Sequence, residues 1–156
     1  MNPSDIFVIS AVRSAIGSFG GSLKDVPPIQ LATDVCRAAI ERSGLAPEHI
    51  GHVVMGHVIP TEPRDAYISR AVAMNAGLPK ETPAFNVNRL CGSGLQAIVS
   101  AAQSLMLGDA GAALAGGVES MSRGAYLLPQ ARWGARMGDM QAMDYVLGAL
   151  QDPFSG

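Results

Sequence analysis

Apolar positions alternate between two rhythms from Ile6 to Val118. Short, largely apolar runs occur at Ile6–Ile9, Val53–Ile59, Ala84–Val87 and Ala112–Val118. Runs of that length, bounded by turn residues, predict strands buried on both faces. Between them the spacing changes to three and four residues. Leu31, Ala32, Val35, Cys36, Ala39 and Ile40 form one face of a predicted helix, with Asp34, Arg37 and Glu41 opposite. Pro27-Pro28 precede it, and Gly44 followed by Pro47 ends it. A second helix is predicted over Ala66–Asn75, closed by Gly77 and Pro79. A third carries Leu95, Ile98, Val99, Ala102, Leu105 and Met106 and stops at Gly108. Gly17, Gly20 and Gly21 mark one loop, and Pro60 and Pro63 another. The order β-α-β-α-β-α-β predicts an α/β fold, a mostly parallel sheet with helices covering its faces and right-handed crossovers.

After Glu119 the texture changes. Met121, Met137, Met140, Met143 and the sole tryptophan, Trp133, lie among scattered glycines. No strand is predicted there, and Tyr145–Leu150 reads as a short helix. Flexible, polarisable methionines suit an adaptable apolar surface. A lid packed on the main layer fits the same pattern.

Composition adds one thing to this picture. Hydrophobic residues make up 48% of the 156 and charged residues only 15%, against about a quarter in an ordinary domain. Such a chain is expected to bury surface against something further, whether more polypeptide or a partner subunit. The net charge is -2 without a block of like sign, which argues against nucleic acid or a basic membrane-binding face. No apolar run reaches the roughly 18 residues of a membrane span. Met1 to Asp5 lack the regions of a signal peptide, so a cytoplasmic protein is expected. Two cysteines, Cys36 and Cys91, make no disulfide framework.

Candidate chemistry centres on Cys91. It lies between a predicted strand and a predicted helix, where parallel sheets place their ligand sites. Helix N-termini carry free N–H groups and partial positive charge, which favour the reactive thiolate. Gly92 and Gly94 would let a thioester approach closely, and Gly116-Gly117 would clear space at the next strand end. Spacing alone leaves open whether Cys91 is reactive or simply packed. Cys36, on an apolar helix stripe, is expected to be inert core. A rival reading exists: Gly92-Ser93-Gly94-Leu95-Gln96-Ala97 fits a dinucleotide-binding G-x-G-x-x-A, with Glu119 as the ribose acid. Its place in the third β-α unit weakens that reading. His49, His52 and His57 lack metal spacing and are expected at the surface or strand edges, so no metal site is predicted. Ser120 and Ser122 are expected to serve the turn after the last strand. G-x-S-x-G and P-loop patterns do not occur.

The run from Val87 to Ile98, Val-Asn-Arg-Leu-Cys-Gly-Ser-Gly-Leu-Gln-Ala-Ile, resembles the acyl-enzyme signature of thiolases. Val12 to Gly21 resembles the family's "R-T-x-x-G-x-F-G-G" segment, with Ser14 for the usual threonine, and Ala115 to Ser122 its "A-G-G-x-E-S-M-S" segment. Gly51 to Arg70 and Arg132 to Gly138 look like bacterial β-ketothiolases.

The resemblance implies a thiolase-like N-terminal half: a mixed, mostly parallel sheet over residues 1–119 that lacks its last strand, then the start of a loop domain over 120–156. It implies that Cys91 accepts an acyl group from acyl-CoA, its backbone N–H serving the oxyanion, before acetyl-CoA takes that group. Leu150 matches a position touching the pantetheine arm of CoA. CoA is substrate and product, with no other cofactor. Family members are tetramers more than twice as long. Their His-Met-Gly segment, activating histidine and second cysteine come later in the chain, so a remaining C-terminal portion is implied. A non-catalytic half that binds acyl-CoA or a partner is the alternative.

Overall fold

A computed structural model describes residues 5–155. Strands β1 (His52–Gly56), β2 (Ala84–Val87) and β3 (Ala113–Gly117) form a parallel sheet in the order β2-β1-β3. Val53 stands opposite both Ala84 and Leu114, and Gly56 opposite Val87 and Gly117. The carboxyl ends of all strands in this sheet therefore line up along one edge.

Helices α1 (Pro28–Ser43), α2 (Ile68–Asn75) and α3 (Ser93–Leu107) cover the faces. Pro28 opens α1, where a missing N–H costs nothing, and Gly44 closes it at φ 70°. Gly108 closes α3 in the same way at φ 82°. The period of two in β1 separates the layers. Val53 and Met55 pack with Ile29, Cys36, Ile40, Ile68 and Val72 from α1 and α2. Val54 faces the other way, onto Ala97 and Ala101 of α3. The fold is the expected α/β sandwich.

Several elements depart from the sequence reading. β1 stops at Gly56, and His57–Ile59 leave the sheet. A 3-10 turn over Pro63–Tyr67 precedes α2, which delays its start to Ile68. Glu62 and Asp65 cap that turn reciprocally. Ile6–Ile9 pairs with no strand among the described residues, and Val8 is 78% exposed. The segment runs on into Val12–Phe19, and together with α1, α3 and β3 it walls an apolar groove of about 740 Å³. A strand needs a ladder partner for its N–H and C=O groups, and the edge of β3 lies across this groove.

Beyond Glu119, β4 (Tyr126–Leu127) pairs antiparallel with β5 (Met143–Asp144), a ladder the sequence did not reveal. Each is two residues long, too short to show any periodicity. The expected short helix is present as α4 (Tyr145–Leu150). The Asp144 carboxylate caps it, accepting from the N–H groups of Val146 at 2.9 Å and Leu147 at 3.2 Å. Trp133 is 84% and Met137 98% exposed, which fits an open apolar surface rather than a packed lid. Among the described residues no helix is long and apolar enough to cross a membrane.

Candidate active site

β2 ends at Val87, and residues 88–92 turn the chain into α3. The turn is braced from within. Asn88 Oδ1 accepts from the Leu90 N–H at 3.0 Å. Ser93 Oγ accepts from the Arg89 N–H at 2.8 Å and donates to the Leu90 carbonyl at 2.6 Å. Gly92 N–H bonds the Arg89 carbonyl at 3.1 Å. Leu90 is driven to φ 50°, the only non-glycine residue with positive φ among those described. That left-handed step puts Cys91 just ahead of Gly92, the N-cap of α3. No side chain caps this helix; the Ser93 N–H is taken by the Leu90 carbonyl at 3.0 Å, and the positive end of the helix dipole begins one residue after Cys91.

Cys91 is exposed, whereas Cys36 is buried, as expected of an inert core residue. Burial pushes the Cys36 thiol up to about 11. Of the two thiols, only Cys91 is therefore open to a substrate.

Gly94 stands as expected, whereas Gly117 does not clear space but is packed against the helix. An ideal Cβ on Gly94 meets nothing within 4 Å, so that position faces open space, as an approaching substrate requires. The close approach lies beneath. A Cβ on Gly56 would stand 2.6 Å from the Ser93 carbonyl carbon and 2.8 Å from the Gly94 nitrogen. One on Gly117 would stand 3.1 Å from the Gly94 Cα. The first turn of α3 thus rests directly on the bare backbone of β1 and β3.

Sequence reasoning missed a buried polar cluster along the same edge. His57 was expected at the surface or a strand edge. It is 8% exposed, with Nδ1 2.8 Å from the Val118 carbonyl and 3.2 Å from Glu119 Oε1. Asp65 is 1% exposed and lies 3.8 Å from His57 Nε2. The Glu62/Asp65 capping box was the one signal that could have drawn attention to this corner. Among the described residues no group of three or more His, Cys, Asp or Glu is arranged to hold a metal. Both Glu119 oxygens are occupied, accepting from Val58 N–H at 3.0 Å and Ile59 N–H at 2.8 Å. The acid is thus engaged with the 57–59 loop and with His57, a structural role that the dinucleotide reading did not foresee. Ser122 does more than serve its turn: its Oγ accepts from the Gly20 N–H at 2.9 Å and ties two loops together. Leu150 is the last residue of α4 and 65% exposed.

The thiolase N-terminal domain, as a family, matches residues 6–156. The chain belongs to the thiolase family. The beta-ketothiolase BktB of Cupriavidus necator is 59% identical over 150 residues, covering 96% of this chain and 38% of the relative. The mitochondrial 3-ketoacyl-CoA thiolase of Homo sapiens is 38% identical over 148 residues, covering 94% of this chain and 37% of that protein. Among solved structures, the Bacillus anthracis acetyl-CoA acetyltransferase superposes with TM-score 0.89 at 41% identity, covering 95% of this chain and 37% of its own. The human mitochondrial 3-ketoacyl-CoA thiolase in complex with CoA gives TM-score 0.90 at 38% identity, covering 94% of this chain and 37% of its own. This thiolase chain spans 36% to 39% of the length of the relatives it matches.

Proposed function

We propose that the chain is the N-terminal part of an acyl-CoA:acetyl-CoA C-acyltransferase, with Cys91 as the acyl acceptor. The observation that carries this is the exposed Cys91 at the uncapped N-terminus of α3, within a chain of the thiolase family. The Cys91 thiolate attacks the acyl-CoA carbonyl carbon. A new C–S bond forms, the bond to CoA sulfur breaks, and CoA leaves and takes up a proton. The Cys91 backbone N–H stabilises the oxyanion of that step. The α-carbon of acetyl-CoA, once deprotonated, attacks the acyl-cysteine carbonyl. A C–C bond forms, Cys91 is released as thiolate, and the product is a 3-ketoacyl-CoA. The reverse sequence is thiolytic cleavage. CoA enters as substrate and leaves as product, and the reaction calls for no other cofactor. A free thiolate nucleophile suits the reducing cytoplasm.

Residues 1–119 form the core in this reading, one strand short, and 120–156 begin a loop domain that meets CoA. The groove between Ile6–Ile9 and β3 supports the first point, because β3 ends its sheet and no described strand fills the space between it and Ile6–Ile9. The exposed apolar side chains of the second segment, Leu150 among them, support CoA pantetheine contact. The base and acid of the reaction come from the polypeptide that completes the chain, and the assembled enzyme is a homo-oligomer.

The test is mass spectrometry of the chain with its completing polypeptide after exposure to acetyl-CoA. An acetyl group on the Cys91 peptide, absent in Cys91→Ala, is the expected result. An unmodified Cys91 overturns the reading.

A further inference from the structure

Acyl transfer makes no use of His57, yet its hydrogen bonds reach the carboxyl ends of both neighbouring strands. It follows Gly56 at the carboxyl end of β1. Its backbone N–H donates to the carbonyl of Val87, the last residue of β2, at 3.2 Å. Its ring Nδ1 lies 2.8 Å from the carbonyl of Val118, just past β3. A carbonyl only accepts, so Nδ1 carries the proton. Glu119 stands 3.2 Å from that same nitrogen and holds the N–H groups of Val58 and Ile59. On the opposite side of the ring, Asp65 Oδ2 is fixed by the Thr61 N–H at 2.7 Å, the Thr61 hydroxyl at 2.9 Å and the Glu62 N–H at 3.2 Å. The ring is thus tied through Nδ1 to the end of β3, while Nε2 is buried without a hydrogen-bond partner and faces Asp65 at 3.8 Å.

The geometry points to His57 as a positioning residue for Cys91, resting on the reading of Cys91 as acyl acceptor. Two routes connect them. The first runs through β2: Val87 leads into the 88–92 turn, which Asn88 and Ser93 brace from within. The second runs through β1: Gly56 precedes His57 and is the floor beneath Ser93 and Gly94. The Nδ1 tie to Val118 fixes the tilt of the β1 end against β3, and so fixes that floor. Reacting atoms must stand within a fraction of an ångström of their productive place. A displacement of about 1 Å, even one caused at a distance, costs about a hundredfold in rate.

Two substitutions separate positioning from mere packing. His57→Asn places an amide nitrogen where Nδ1 stands and keeps the donor to Val118. His57→Leu fills similar space with no donor. In the complete enzyme, His57→Leu is expected to slow acetylation of Cys91 by tenfold or more, about the scale of a sub-ångström misplacement. The loss should fall on kcat rather than on KM for acetyl-CoA. His57→Asn is expected to restore the rate. Hydrogen exchange of the 88–94 segment should quicken in His57→Leu and return to the parent value in His57→Asn. The proposal is overturned if His57→Leu acetylates at the parent rate, or if both variants lose rate only in step with their melting temperatures. Absence of any Cys91 adduct in the parent enzyme overturns the acyl-acceptor reading instead. The exchange of 88–94 then still decides whether His57 holds that turn.

Discussion

Cys36 and Cys91 carry the same thiol in opposite surroundings, one inside the α1 layer and one in the open ahead of α3. The buried thiol has a consequence for stability. Its value rises from 9.0 to about 11 on folding, through burial alone. Between these limits the unfolded chain has released the proton and the folded chain has kept it, so stability falls as pH rises. The loss starts near pH 9 and levels off near 11, at about 2–3 kcal/mol for a difference of that size. Denaturant titrations from pH 8 to 11 should show this slope in the parent and a shallower one in Cys36→Ala. An equal slope in both would remove burial of Cys36 as its cause. Leu90 offers a second test at this scale. A φ of 50° strains a leucine, and its side chain is 63% exposed, so little packing is lost on removal. Leu90→Gly is expected to leave stability unchanged or raise it by up to about 1 kcal/mol, relief of strain being set against the greater freedom of the unfolded glycine. A clear destabilisation in urea would show that the leucine side chain matters more than its backbone.

The elements differ in how openly the sequence announces them. The helices α1 and α3 were legible because their stripes repeat at helical spacing and because Gly44 and Gly108 sit where left-handed caps are needed. The Cys91 turn was legible as a strand-to-helix junction. What rests beneath it was not. Gly56 and Gly117 look like ordinary strand glycines until the register places both under the first turn of α3. His57 misled for a related reason. A histidine is buried when distant groups meet its ring nitrogens, and here Val118 and Glu119 meet Nδ1 from 61 and 62 residues along the chain. Gly56→Ala tests the packing directly. Its Cβ would meet the backbone of Ser93 at 2.6 Å, which no rotamer change can relieve. The helix must lift, at a cost of about 1–3 kcal/mol, and Cys91 moves with it. Gly117→Ala, at 3.1 Å from Gly94, should cost less. Thermal melts and Cys91 acetylation together check this order. A Gly56→Ala protein as active and stable as the parent would show that α3 has room to spare.

For the whole molecule, the unpaired state of Ile6–Ile9 is informative. An apolar run predicts burial, but it does not say against what. Here Phe7 and Val8 lie open beside the groove, and β3 ends the sheet with an unpaired edge. The low proportion of charge, 15%, points the same way: this surface is composed to be covered. If the core is one strand short, the missing strand must lie in the groove and give ladder partners to β3 and to Ile6–Ile9 together. Amide exchange can check that. In the isolated chain, the N–H groups of residues 6–9 should exchange freely while those of α3 are protected. With the completing polypeptide present, residues 6–9 should become protected and α3 should change little. Binding of an apolar dye should fall in parallel, since the groove closes. Residues 6–9 that exchange equally fast in both states would mean that the groove is not a strand site. The large apolar surface would then have to be covered by side chains alone, without the backbone pairing that the open edge of β3 offers.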